Sequence, residues 1–137
     1  MIKVLVREPR PDFRVFIDLL FGRGRNVDSE GDAFPVFSRE WRDLYLKDRE
    51  SEEPAVEIYA EETSPLIFEI KSESSRLEEL AALYLYLYCG YSISKDKDYL
   101  ADDIVSVLKD KYLRELEMAN CSIWHKSSES NPYPNIA

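Results

Sequence analysis

The chain has 137 residues, of which 45% are hydrophobic and 12% aromatic, and its formal net charge is −9. This composition excludes a disordered chain and suits one packed domain. It also excludes a membrane helix, since no apolar run approaches the roughly 18–20 residues of a span, and it argues against nucleic-acid binding, because phosphates would meet carboxylates.

The N-terminal residues and the two cysteines indicate the cellular compartment in which we expect the protein. The apolar stretch Met1–Val6 is too short for a signal peptide, and Arg7 and Glu8 follow it at once. The two cysteines are too few for a disulfide framework. We therefore expect a cytoplasmic protein with free thiols, built as a single α+β domain over residues 1–126 and a polar C-terminal tail over residues 127–137.

The negative charge is concentrated in the middle of the chain. Residues 1–47 carry nine basic and eight acidic side chains, residues 48–79 carry three and eleven, and residues 80–137 carry six and eight. The net charges of the three segments are +1, −8 and −2. Like charges so close together repel, so the central block is either a solvated surface that opposes aggregation or a docking face for a basic partner.

The first third of the chain predicts a strand, a helix and a loop. Ile2–Arg7 has the aliphatic character of a strand, which Pro9 ends. Asp12 is a suitable N-cap for the helix that follows. That helix is predicted from apolar residues at helical spacing, namely Phe13, Phe16, Ile17, Leu20 and Phe21. Residues 22–38 are polar and without period, and we expect a long loop there.

The acidic middle of the chain predicts three consecutive strands joined by short turns. They are Trp41–Arg49, Ala55–Glu61 and Leu66–Ser72. In the last two strands apolar residues alternate with polar ones, which is typical of a sheet with one buried face. The outward positions of this hairpin are then occupied by Glu57, Tyr59, Glu61 and Glu69, so part of the acidic block becomes a surface.

The last half of the chain predicts two helices. Ser75 and Glu78 have the spacing of a capping box, and a helix is expected from Arg76 to Tyr88. A second long helix is expected over Asp98–Ala119, with Asp102 and Asp103 near its N-terminal end, where the helix dipole favours them.

These elements predict an α+β fold in the order β-α-β-β-β-α-α. An antiparallel sheet of three to four strands would have helices packed on one face, and the first strand would lie at an edge. The predicted core comprises Trp41, Leu44, Leu46, Val56, Ile58, Phe68, Ile70, Leu80, Leu83, Leu87, Ile104 and Leu108.

Several chemistries lack their residues in this sequence. The single histidine, His125, would have to serve any catalytic relay, and it makes a structural zinc site improbable. Gly22-Arg23-Gly24-Arg25 follows a helix and does not have the spacing of a phosphate-binding loop. Asp28–Asp32 lacks the spacing of a calcium loop. We therefore expect no cofactor, no metal and no enzymatic activity.

The main functional hypothesis is a protein-binding module that docks on a basic partner. The predicted contact residues are Glu57, Tyr59, Glu61, Glu62 and Glu69. Small acidic α+β proteins without catalytic residues resemble bacterial toxin-immunity proteins or neutralising chaperones in general character, although the resemblance is one of composition and no motif carries it.

Two other hypotheses stay open. The long 22–38 loop, with Arg23, Arg25 and Asp28, could serve a small-ligand-binding protein or an enzyme. The tyrosine-rich helix, with Tyr84, Tyr86 and Tyr88, could instead form the interface of a homodimer or another homo-oligomer.

Overall fold

Seven strands, four α-helices and one 3₁₀ turn follow one another in a computed structural model, which describes residues 1–134. The strands are β1 (Ile2–Val6), β2 (Val27–Gly31), β3 (Asp43–Asp48), β4 (Val56–Ala60), β5 (Ile67–Ser72), β6 (Gly90–Lys95) and β7 (Asp98–Tyr99). The helices are α1 (Phe13–Leu20), α2 (Ser75–Cys89), α3 (Asp102–Lys111) and α4 (Leu113–Asn120), and the 3₁₀ turn spans Ile123–Lys126.

All seven strands form one antiparallel sheet in the order β2-β3-β4-β5-β1-β6-β7. The prediction of an α+β fold with an antiparallel sheet is confirmed. The predicted number of three to four strands is wrong, and so are the predicted element order and the edge position of β1. That strand lies inside the sheet, where Val4 pairs with Phe68 on β5 and with Ile93 on β6.

The missed strands carry weak hydrophobic patterns. β2 falls inside the predicted 22–38 loop, and Val27 is the only large apolar residue among the five residues of this strand. β6 contributes one buried side chain, Ile93, between serines. Such strands are held by their neighbours' backbone hydrogen bonds, which a pattern of alternating side chains does not reveal.

The core lies between the sheet and the helices. Ten of the twelve predicted core residues are buried, whereas Leu87 and Ile104 are 40% and 48% exposed. Trp41 lies at its centre, with edge contacts to Phe16 and Phe68 and a hydrogen bond of 2.8 Å from its indole N–H to the Pro11 carbonyl. Leu87 differs because it lines an open groove beside the last two helices, and Ile104 differs because it lies on the exposed side of α3.

The helix boundaries correct three details of the prediction. Ser74, rather than Ser75, caps α2 by accepting from the backbone N–H of Leu77. Glu78 accepts from the backbone N–H of Ser72, not from the cap residue. The segment Asp98–Ala119, predicted as a single helix, is not one element. Its first two residues form the short strand β7, and its helical part is divided at Tyr112 into α3 and α4.

Residues 127–134 of the predicted polar tail contact the rest of the domain. The hydroxyl of Ser127 donates to buried Asp12, and the guanidinium of Arg14 donates to the Pro132 carbonyl. The remainder of that tail, residues 135–137, lies outside the described residues. Over residues 1–134, none of the helices has both the length and the apolar character needed to cross a membrane.

Candidate functional site

Within residues 1–134, one face of the sheet carries no helix, and we call it the open face. On β1, β3, β4 and β5 most of the inward residues are buried, so the alternate residues point away from the helices. The strand register places the outward residues in rows across the sheet. One row contains Glu30, Tyr45, Glu57 and Lys71, and the next contains Asp43, Tyr59, Glu69, Lys3 and Ser94.

Four of the five predicted contact residues lie on this open face. Glu57, Tyr59 and Glu61 follow one another at alternate positions along and just beyond β4. Glu69 lies directly opposite Tyr59 on the neighbouring strand β5. The fifth residue, Glu62, lies in the turn between these strands and is exposed. The structure therefore brings together the cluster that the alternation predicted.

Lysines from neighbouring strands neutralise part of this cluster. Lys3 on β1 forms an ion pair of 2.8 Å with Glu61, and the hydrogen bond from Lys3 to Glu61 raises the pKa of that lysine. The ammonium of Lys71 lies 5.4 Å from the centre of the Tyr59 ring, within the range of a cation–π contact. The sequence reasoning missed Lys3, because β1 and β4 are far apart in the chain.

Among the described residues, three carboxylates of the cluster take part in no close ion pair, although Glu57 lies opposite Lys71 and Glu69 lies opposite Lys3 in the strand register. Within residues 1–134, Glu57, Glu62 and Glu69 have no basic group closer than 4.0 Å. Glu57 and Glu62 are exposed and Glu69 is half-buried. These three lie near the half-buried ring of Tyr59, so an aromatic ring and carboxylates outside close ion pairs occur together.

Two depressions give the open face its shape. One, of about 730 Å³, is lined by residues that include Tyr45, Glu57 and Lys71. The other, of about 330 Å³, is lined by Arg42, Asp43, Tyr59, Ala60, Glu61, Glu62 and Pro65. The face can therefore receive protruding side chains of a partner. Tyr45 was missed as a site residue, although its alternation with buried Leu44 and Leu46 was a usable signal.

Two charged residues of the 22–38 segment, Arg25 and Asp28, form ion pairs with residues at the end of β3. Arg25 donates to buried Asp48 at 2.8 Å, and Arg49 pairs with Asp28 at 3.3 Å. These contacts fasten β2 and the residues before it to the end of β3. No residue from 22–38 lines either depression of the open face.

His125 takes part in a compact hydrogen-bonded cluster behind α2. Its Nε2 lies 2.7 Å from the Ala119 carbonyl, which only accepts, so Nε2 carries the proton. The ring stacks on Tyr88, and the Tyr84 hydroxyl lies 3.4 Å from the same Nε2. Burial raises the pKa of Tyr84 far above its ordinary value, so its hydroxyl stays protonated. These contacts give His125 a structural role in holding the 3₁₀ turn against α2.

A second groove, part of it apolar, lies between α2 and the two last helices. It has a volume of about 500 Å³, and Tyr84, Leu87, Tyr88, Leu113 and Leu116 form its apolar part. Leu87, Tyr88 and Leu113 are 40%, 41% and 55% exposed. Part of the tyrosine-rich helix is thus accessible, whereas Tyr84 is buried.

A scan against protein-family models, a search of curated proteins and a search of solved structures each gave no match. The function is therefore argued from the residues of the open face and of the groove.

Proposed function

We propose that the protein is a protein-binding module whose open face docks on a basic protein, with Glu57, Tyr59, Glu61, Glu62 and Glu69 at the contact. The observation that carries the proposal is the grouping near Tyr59, on a sheet face without helices, of three carboxylates that form no ion pair within 4.0 Å among the described residues. Tyrosines with accessible rings are frequent at the centres of interfaces, and surrounding charges speed the encounter of oppositely charged proteins.

The chemistry of the face favours a cationic partner. Phosphates of a nucleic acid would meet the same carboxylates and be repelled, whereas lysine and arginine side chains could form ion pairs with them. Acidic modules that neutralise a basic toxin, or that chaperone a basic protein in the cytoplasm, are the class that fits these requirements. Such a module acts by occupying a surface, so it needs no catalytic residues of its own.

The proposal can be tested by removing the same amount of charge at two places. The variant Glu57→Gln, Glu62→Gln, Glu69→Gln removes three carboxylates from the open face. The matched control Glu52→Gln, Glu53→Gln, Glu129→Gln removes three exposed carboxylates that lie outside the predicted contact. Both variants and the native chain would be immobilised and exposed to an extract of the cells that make the protein.

The expected result is a basic protein that the native chain and the control retain and that the open-face variant loses. Calorimetry with that purified protein should then show an affinity that falls as salt rises, because charges are screened. If both variants retain the same proteins, the open face is not the docking site and the proposal is wrong.

The apolar groove supports a second candidate function, that of a homo-oligomeric subunit. Three large hydrophobic residues, Leu87, Tyr88 and Leu113, are exposed together there, and such patches frequently mark interfaces. Light scattering on the native chain and on Leu87→Ser with Leu113→Ser tests this candidate. A native dimer that the substitutions convert to a monomer would support it, and a native monomer at all concentrations would rule it out.

A further inference from the structure

The edge of the sheet at β2 has hydrogen-bonding groups without a neighbouring strand. Among the described residues, β2 pairs with β3 on one side only. At the opposite edge, β7 has only two residues, Asp98 and Tyr99, and offers little backbone. Proteins usually shorten, cover or charge such edges, because an open strand edge can bind another strand.

The register shows which backbone groups of β2 face outward. Arg49 donates its backbone N–H to the Asn26 carbonyl, and Asp32 donates to the Asp43 carbonyl. Antiparallel pairing alternates, so residues 26, 28, 30 and 32 bond towards β3. The backbone groups of Val27, Ser29 and Gly31 therefore point away from the sheet, and a strand laid beside them would complete the ladder.

The side chains beside this edge select its occupant. Asp28 and Glu30 lie on the open face, because they pair with the outward residues Lys47 and Tyr45. Asp28 also forms an ion pair of 3.3 Å with Arg49, whereas Glu30 forms no ion pair among the described residues. In a two-fold antiparallel pairing of β2 with a second copy, each register that overlaps three or more strand residues puts carboxylate opposite carboxylate. Like charges directly opposite destabilise a strand pair, whereas opposite charges stabilise it. The edge thus repels a copy of itself and favours a strand with lysines or arginines at alternate positions.

We propose that the basic partner docks by adding an extended strand to β2, with alternate basic side chains beside Asp28 and Glu30. This inference rests on the proposed function and specifies its binding mode. The added strand would extend the row of Glu30, Tyr45 and Glu57, so the partner's side chains would reach the open face. Backbone hydrogen bonds would supply affinity and the alternate charges would supply specificity.

A short synthetic peptide can test this mode without the natural partner. The probe is an acetylated and amidated heptapeptide of alternating lysine and threonine. One control peptide carries glutamate in place of lysine, and another keeps the lysines but has N-methyl groups that remove its edge-facing donors. The readout is amide hydrogen exchange of the native chain by NMR, residue by residue.

The lysine peptide should slow exchange at Val27, Ser29 and Gly31, and neither control peptide should do so. Glu30→Gln should weaken its binding about two- to fivefold, as expected for a cross-strand pair, and Asp28→Asn should weaken it less, because Asp28 already pairs with Arg49. Binding that perturbs Glu57 and Tyr59 but leaves these three amides unprotected would overturn the strand addition and leave the proposed function standing. An absence of binding by the lysine peptide would also overturn the strand addition.

Discussion

The hydroxyl of Ser127 donates a hydrogen bond of 2.6 Å to the carboxylate of Asp12, which is completely buried. Asp12 also caps α1 by accepting from the backbone N–H of Arg14 at 2.9 Å. One carboxylate therefore starts a helix near the beginning of the chain and holds the segment that follows the last helix.

This bond predicts a measurable stability cost for Ser127→Ala. Hydrogen bonds to charged groups contribute about 1.5–3 kcal/mol, and we expect the free energy of unfolding to fall by that amount. Urea unfolding measures it. Ser130→Ala serves as the control, because Ser130 is exposed and such changes stay within about 0.5 kcal/mol. Equal stability of the two variants would contradict the prediction.

We expect the removal of the charge of Asp18 to increase the free energy of unfolding at neutral pH. Burial raises the pKa of Asp18 above its ordinary value, although the hydrogen bond from Ser122 opposes the shift. A raised pKa means that the stability due to this group is complete below about pH 3.9, its unfolded pKa, and is lost as pH rises through the folded pKa.

The variant Asp18→Asn keeps an acceptor for Ser122 without the charge. Its free energy of unfolding should exceed that of the native chain at pH 7, and the two should converge towards pH 4. Urea unfolding at a series of pH values measures the difference. A variant that is less stable than the native chain at pH 7 would show that the charge of Asp18 is stabilising.

We expect the contribution of Asp48 to the free energy of unfolding to depend on pH in the opposite sense. Burial alone would raise the pKa of Asp48, but hydrogen bonds from the Glu50 backbone, Arg25 and Ser51 lower it below its ordinary value. A lowered pKa gives stability that is present above the unfolded pKa and is lost as pH falls through the folded pKa.

Asp48→Asn should therefore lower the free energy of unfolding at pH 7 by about 1.5–3 kcal/mol, the usual contribution of a hydrogen bond to a charged group. The loss should shrink as the solution is acidified below about pH 4. The same urea series measures it, with exposed Asp43→Asn as the control. A loss that is independent of pH would indicate that packing, not charge, explains the role of Asp48.

We expect the folding of β2 to depend on the absence of a side chain at Gly31. Its φ is +118°, and an added Cβ would lie 2.0 Å from the Asp43 carbonyl oxygen. Gly31→Ala should lower the free energy of unfolding by about 1–3 kcal/mol, the usual cost of a strained backbone position. Gly24→Ala is the control, since Gly24 also has a positive φ of +76° but an added Cβ would meet open space. Chemical denaturation should show the larger loss for Gly31→Ala.

The sequence predicted the parts of the fold that depend on side-chain periodicity. The alternation around Ile58 and Phe68 located β4, β5 and their buried face, and the same alternation placed Glu57, Tyr59 and Glu69 outward. The spacing from Phe13 onward located α1 together with its cap, Asp12. In each case the pattern arises because one face is buried, so an apolar residue recurs at every second position of a strand and at every third to fourth position of a helix.

The parts that the sequence did not predict depend on distant partners. β2 is defined by its pairing with β3 rather than by its own apolar residues, and β1 became central only because β6 pairs with its second side. The neutralisation of Glu61 by Lys3 joins strands from opposite ends of the first half of the chain. No local pattern contains such information, so the balance of charge on the open face required the three-dimensional structure.

The interior position of β1 also determines the order in which the protein assembles during synthesis. Ile2 pairs with Ile70 on one side and with Lys95 on the other, so neither partner exists when β1 leaves the ribosome. Because synthesis adds about 5–20 residues per second, the aliphatic strand stays unpaired for seconds before its neighbouring strands are made. Arg7 and Glu8, which directly follow β1, place charge beside the unpaired strand and oppose its aggregation.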